Sequence, residues 1–154
     1  MLLVRPASAA DLAAIHLLDR RLSPVYASEE GYAALLESPA LLLVADLEDS
    51  LAGFAALSVV LDEATLLNIA VLNGSRRRGL ASSLLDEAEV TLRAQGIQRL
   101  LLEFRRSNIA AQRLYERHGF VVDGVREGYY PVTDGQREDA VLMSKTLEGA
   151  RESA

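Results

Sequence analysis

No cysteine occurs in the 154 residues. That excludes disulfides, thiolate-held metals and a cysteine nucleophile, and it fits a cytoplasmic protein. No apolar run reaches the roughly 18 residues that would span a bilayer, so no membrane partner is expected. Between Arg5 and Asp11 lies only a short Ala/Ser stretch, so no secretory leader is expected. Two histidines, His16 and His118, are expected on helix surfaces; without cysteine and without a matching set of carboxylates they predict no metal site. Walker A loops, dinucleotide fingerprints, serine nucleophile elbows, repeats and low-complexity segments are all missing.

What remains is an acidic chain with clustered arginines. The net charge of −6 argues against nucleic acid as a partner. Arginines nevertheless gather at 76–78 and 105–106, and local positive potential on an acidic protein suits a small anionic ligand. Length and an apolar share of 50% predict one domain over 1–148, with 149–154 a flexible C-terminal tail.

Hydrophobic periodicity supplies the elements. A short strand is expected at Leu2–Arg5. Ser8 and Asp11 signal a helix with the apolar face Ala14, Ile15, Leu18 and Leu22, broken by Pro24. Ser28 caps a second helix bearing Tyr32, Leu35 and Leu36, and these two helices are placed to flank a substrate opening. Strands at 41–47, 51–61 and 65–72, joined by short turns, read as an antiparallel meander. A helix from Gly79 to about Gln95 carries the stripe Leu80, Leu84, Leu85, Ala88 and Leu92, with Gly96 after it. A strand at 98–104 follows and, given the intervening helix, is expected to run parallel to the one before it. A helix capped by Asn108 runs to His118 and Gly119; strands at 120–125 and 140–147 enclose a long loop, 127–139. The order β-α-α-β-β-β-α-β-α-β-β predicts a mixed α/β (α+β) domain: a mostly antiparallel central sheet flanked by about four helices.

The stretch LNIAVLNGSRRRGLASSLL, 67–85, organises the rest. A strand leads through a basic, glycine-containing loop into a helix N-terminus, where unpaired N–H groups and the helix dipole favour a phosphate. A solvated basic loop ahead of an ordinary surface helix is the alternative. Glu103 is a lone carboxylate among Leu100, Leu101, Leu102 and Phe104. Burial would raise its pKa and make it a general base; the competing expectation is an edge residue paired with Arg105 or Arg106. Tyr115 offers a phenol as proton donor, or is simply a core-edge aromatic. Tyr129 and Tyr130 are expected in the loop, lining a peptide site or covering a sheet edge.

These residues together resemble the GNAT N-acetyltransferase superfamily. Its loop signature Q/R-x-x-G-x-G/A is matched by Arg76, Arg77, Arg78, Gly79, Leu80 and Ala81 between a strand and a helix. The chain is most similar to the RimI-type subgroup, which acetylates the N-terminal alanine of a ribosomal protein. VVLDEATLLNIAV (59–71), LLLEFRRSNIAAQRLYERHGF (100–120), REGYYPVTDG (126–135) and REDAVLM (137–143) carry that likeness. The resemblance implies acetyl-CoA as cosubstrate, a ribosomal protein N-terminus as acceptor, and cytoplasmic location. It implies that Arg76 to Ser82 hold the pyrophosphate, that Ile69, Ala70 and Val71 pair with the pantetheine arm, and that Asn108 contacts CoA. It further implies Glu103 as proton acceptor and Tyr115 as proton donor, with Tyr129 and Tyr130 near the acceptor. The segment Ser23 to Ser28 departs from the subgroup's Phe-Pro-Trp-Ser-like pattern, which leaves two alternatives open: another amine acceptor, or a CoA-binding partner subunit without activity.

Overall fold

Every second residue of two neighbouring strands enters a different core, and the whole architecture follows from that. In a computed structural model, residues 1–22, 27–72, 79–132 and 135–147 are described. Strand β2 (Leu41–Leu47) sends Leu43 and Ala45 to one face and Leu42 and Val44 to the other. Strand β3 (Ser50–Val60) does the same with Ala55 and Leu57 against Phe54 and Ala56. Strands covered on both sides read as unbroken apolar runs, which is what these two show.

The remaining elements are β1 (Leu2–Pro6), α1 (Leu12–Leu22), α2 (Glu29–Leu36), β4 (Glu63–Val71), α3 (Leu80–Ala94), β5 (Arg99–Arg105), α4 (Ile109–Arg117), β6 (Val121–Pro131) and β7 (Arg137–Thr146). A single 3-10 turn, Ala9–Asp11, leads into α1. Its start is held as the sequence suggests: the Ser8 N–H donates to the Asp11 carboxylate at 2.8 Å. Arg5 grips the same carboxylate through two nitrogens, at 2.8 and 2.9 Å, and holds Asp46 of β2 at 2.7 Å. Its hydrogen bonds hold the Asp11 carboxyl down at about 2, against the opposing pull of burial.

Seven strands form one sheet in the order β1-β2-β3-β4-β5-β7-β6. All neighbours are antiparallel except β4 and β5. The element order and the single parallel pair agree with expectation. Strand β7 inserts between β5 and β6, leaving β6 at the edge. The expected loop at 127–139 is mostly strand: β6 continues to Pro131 and β7 starts at Arg137. Bulges between Val122 and Gly124 and between Arg126 and Tyr130 let β6 keep pairing despite a sequence that does not alternate. The expected tail, 149–154, lies outside the described residues.

On one face α3 buries Leu80, Leu84, Leu85, Ala88 and Leu92 against Leu43, Leu57, Leu100, Leu102 and Met143. Each such leucine contributes about 1.5–3 kcal/mol by leaving water. On the other face α1 and α2 bury Ile15, Leu18 and Tyr32 against Leu42, Val44, Phe54 and Ala70. Two cores on opposite faces hold the sheet, and the site lies where the sheet comes apart.

Candidate active site

Strands β4 and β5 pair only from Glu63 with Arg99 to Thr65 with Leu101. Beyond that point no strand among the described residues pairs with the facing edges, so residues 66–71 and 102–105 border a wedge. Each half is held from behind: β3 backs β4, and β7 backs β5 along its whole length. Gly53 of β3 permits the close fit, since a Cβ there would lie 3.0 Å from the Ala70 carbonyl oxygen and 3.2 Å from Val71. Val71 and Ala70 are buried, one in each core, and Ile69 is half-buried. Their side chains are therefore committed to packing, and only their backbone can meet a ligand.

Helix α3 begins at this opening. Gly79 caps it with φ of +74°, a conformation that an L side chain enters only with strain, and a Cβ there would meet none of the described residues within 4 Å. The open space over this cap and the unpaired N–H groups of the first turn suit an anion. Leu80 is fully buried, so it contributes its backbone alone; Ala81 is half-buried. Arg76, Arg77 and Arg78 lie outside the described residues.

Ser82, in the same turn, is bonded through Oγ to His118 Nε2 at 2.9 Å. The other ring nitrogen of His118 lies 3.4 Å from Asp86 and 4.0 Å from Glu89. His118 is thus no surface residue, as its place at a helix end suggested, but a tie between α3 and the end of α4. Glu89 is buried and also accepts from Lys145 at 2.7 Å and Arg93 at 3.2 Å. Sequence carried no sign of this cluster, since its members come from α3, α4 and β7.

Asn108 caps α4: its Oδ1 accepts from the Ala111 N–H at 3.1 Å. The amide nitrogen has no partner among the described residues, so capping leaves a donor for a ligand. Further along the same helix, Tyr115 stands between Phe104 and Phe120, with ring centroids 5.6 and 5.8 Å away. Burial first, and the nearby Tyr130 second, push its phenol up to about 12. Its hydroxyl has no hydrogen-bond partner among the described residues, yet it is not among the fully occluded unpartnered atoms. The ring is core, as one of the two expectations had it, and the unpartnered hydroxyl is not sealed in.

Glu103 differs from expectation. It is exposed, on the face of β5 opposite Leu102 and Phe104, so the expected burial is missing. Nor does it pair with an arginine. Arg105 lies 3.6 Å from Glu138 and stacks 4.6 Å over the Tyr130 ring, and Arg106 binds Asp139 at 2.9 Å. Glu103 is left as an accessible carboxylate without an ion pair among the described residues. Tyr129 and Tyr130 stand on β6, not in a loop, edge to face at 5.0 Å. Burial raises the Tyr130 phenol, and the charge of Glu103 raises it further. Tyr130 therefore lies within electrostatic reach of both Glu103 and Tyr115, which approach β5 from opposite faces.

Among the described residues no three His, Cys, Asp or Glu side chains converge on a metal position, and no helix is long and apolar enough to cross a membrane. One buried group was overlooked in sequence. Asp19 is 1% exposed and sits at an apolar-face position of α1, four residues after Ile15. A carboxylate in that register was the available signal.

The Acetyltransferase (GNAT) family profile matches residues 11–120. The [ribosomal protein bS18]-alanine N-acetyltransferase of Escherichia coli K12 is 41% identical over 134 residues, covering 87% of this chain and 90% of that protein. The putative enzyme of the same name from Bacillus subtilis is 36% identical, covering 79% and 80%. The crystal structure of the ribosomal-protein-S18-alanine N-acetyltransferase from E. coli superposes with a TM-score of 0.89 at 38% identity, over 100% of this chain and 99% of that one. The split sheet, the glycine-capped helix at its mouth and these matches place the chain in the GNAT acetyltransferase family.

Proposed function

We propose that this protein transfers an acetyl group from acetyl-CoA to the N-terminal α-amine of a protein, with an N-terminal alanine of a ribosomal protein as acceptor, in the cytoplasm. The observation that carries the reading is the wedge: an accessible carboxylate borders it on one face and a buried phenol on the other, beside an anion-suited helix end. The relatives at 41% and 36% identity, named for alanine acetylation of ribosomal protein bS18, support the choice of acceptor.

Acetyl-CoA supplies the activated acyl group as a thioester. The α3 N-terminus from Gly79 through Ser82, with Arg76, Arg77 and Arg78, would hold its pyrophosphate, and Asn108 would offer its free amide nitrogen. The backbone of Ile69, Ala70 and Val71, unpaired on the wedge side, would hold the pantetheine arm. A peptide α-amine has a pKa of about 7.7–8.0 and is partly protonated at neutral pH. Glu103 takes its proton, directly or through a water, which an exposed carboxylate with no competing arginine among the described residues can do. Tyr115 keeps its own proton at any physiological pH, because its phenol is pushed up to about 12, and gives it to the departing thiolate. Tyr129 and Tyr130 line the acceptor side next to Glu103.

The test is acetyl transfer to a short peptide beginning with alanine, against the same peptide with a blocked α-amine and a free lysine. Transfer to the free N-terminus alone is expected. Transfer to lysine, or none while acetyl-CoA binds, would refute the α-amine reading and turn attention to Ser23–Ser28.

A further inference from the structure

Asp19 of α1 is a buried acid that the proposed chemistry does not use. Its side chain accepts three hydrogen bonds from three different parts of the chain. Tyr32 of α2 donates its hydroxyl to Oδ2 at 2.5 Å, and the backbone N–H of Ala27 donates to the same oxygen at 3.2 Å. Asn68 of β4 donates its amide to Oδ1 at 2.8 Å. Asn68 belongs to residues 66–71, the half of β4 that borders the wedge and has no neighbour on the β5 side. Tyr32 is itself wedged edge-on against Phe54 at 5.6 Å, and Phe54 is the register partner of Ala70.

A buried carboxyl costs several kcal/mol of lost hydration unless its lone pairs are used. Packing alone would be served more simply by a leucine at this position of α1, where Ile15 and Leu18 already form an apolar face. What the carboxyl does that a leucine would not is fix direction: it locks the Ala27 N–H, the α2 ring and the free half of β4 to one point. The faces decide what this serves. The α3 cap and α4 lie on the core face that holds Leu102 and Phe104. Glu103 points to the opposite face, the one covered by α1 and α2. An amine that gives its proton to Glu103 must come in on the side that Asp19 organises.

We infer that Asp19 is a positioning residue for the acceptor: through Asn68, Tyr32 and Ala27 it sets the spacing between the α1–α2 corner and the open half of β4. The inference rests on the proposed peptide acetylation. Asn68→Asp tests it by placing a second carboxyl within hydrogen-bond distance of the first, where both cannot be ionised and no proton bridges the pair at neutral pH without cost. Adding Asp19→Asn exchanges the two polarities. The new amide oxygen at 19 still accepts from Tyr32 and Ala27, and its NH2 donates to the carboxyl at 68, so every bond is rebuilt.

Asn68→Asp should raise KM for the alanine peptide by about tenfold or more, leaving kcat and the acetyl-CoA dissociation constant within about twofold. The double variant should return KM to the original value. Amide hydrogen exchange at Ala27 should quicken in the single variant and slow again in the double one. An unchanged KM with an active parent enzyme overturns the inference, as does a loss shared equally by kcat, KM and acetyl-CoA affinity without rescue. A parent enzyme inactive on the peptide refutes the acceptor reading alone, and Ala27 exchange then decides the role of Asp19: no change in the single variant overturns it.

Discussion

Replacing Tyr115 by phenylalanine separates chemistry from packing more cleanly than any other change here. The ring keeps both aromatic neighbours, at 5.6 and 5.8 Å, because phenylalanine has the same outline. The hydroxyl makes no hydrogen bond to a described residue, so its removal breaks none. Stability should therefore shift by less than about 1 kcal/mol, which is at most about 2–4 °C in Tm for a chain of this size. Loss of a proton donor costs about 100-fold or more in rate, so kcat should fall by at least that factor at saturating peptide and acetyl-CoA. Converted through transition-state theory, that is about 2.7 kcal/mol, several times the stability change. A second signature comes from alkali. The unfolded phenol ionises near 10 and the folded one near 12, so above pH 10 the unfolded chain sheds a proton that the folded one keeps. The contribution is intact below pH 10 and is lost as pH rises towards 12, amounting to about 2–3 kcal/mol at most. Tyr115→Phe should remove that part of the alkaline slope, read as the difference between parent and variant in urea titrations at pH 8 and pH 11. Unchanged kcat with an altered alkaline slope would reduce Tyr115 to a core residue. A collapse of Tm together with kcat would refute the packing argument as well.

Glu103→Gln should lower kcat by about 100-fold near pH 7 and less near pH 9, where the peptide amine is already unprotonated; a deficit equal at every pH would show that Glu103 does not take the proton. Gly79→Ala forces a Cβ into the left-handed region and should cost about 1–2 kcal/mol of stability. The same Cβ faces open space in the protein, so acetyl-CoA affinity measured by calorimetry falls only if a ligand fills that space; unchanged affinity would remove Gly79 from the site. The Asp11 carboxyl, held at about 2, favours folding above pH 4 and loses that contribution as pH falls towards 2. Asp11→Asn should flatten the acid limb by about 2 kcal/mol in urea titrations between pH 5 and pH 2.5, and an unchanged limb would show that the Arg5 pair does not matter.

Much of the fold was legible because its signals are local. The α3 stripe repeats at helical spacing, Ser28 and Asn108 sit where caps belong, and turn residues separate β2, β3 and β4. Strand order was not legible. Nothing in Arg137–Thr146 says that it fits between β5 and β6, since an antiparallel strand chooses neighbours by what lies across the sheet. The same cause hid the strand character of Tyr129 and Tyr130: pairing resumes at Tyr130, opposite Glu138, only after a bulge absorbs the irregular register. Glu103 was misjudged on burial for a related reason: its apolar neighbours alternate, so they define a core face that Glu103 avoids.

The site shows the same division more sharply. The cap positions of Gly79 and Asn108 were legible because a turn and a cap are written within a few residues. Asp19 and His118 were not, because the partners that give them meaning lie far away: Asn68 is 49 residues from Asp19, and Ser82 is 36 from His118. Asp19 nevertheless left a local trace. A carboxylate on an apolar helix face must be satisfied when it is buried, whatever satisfies it. An acid in that register is therefore a reason to look across the fold for donors before assigning it to solvent. In this chain the donors come from α2, from the residue Ala27 ahead of it and from the open half of β4 itself, which is why a polar residue in the wrong place on α1 points to the acceptor side.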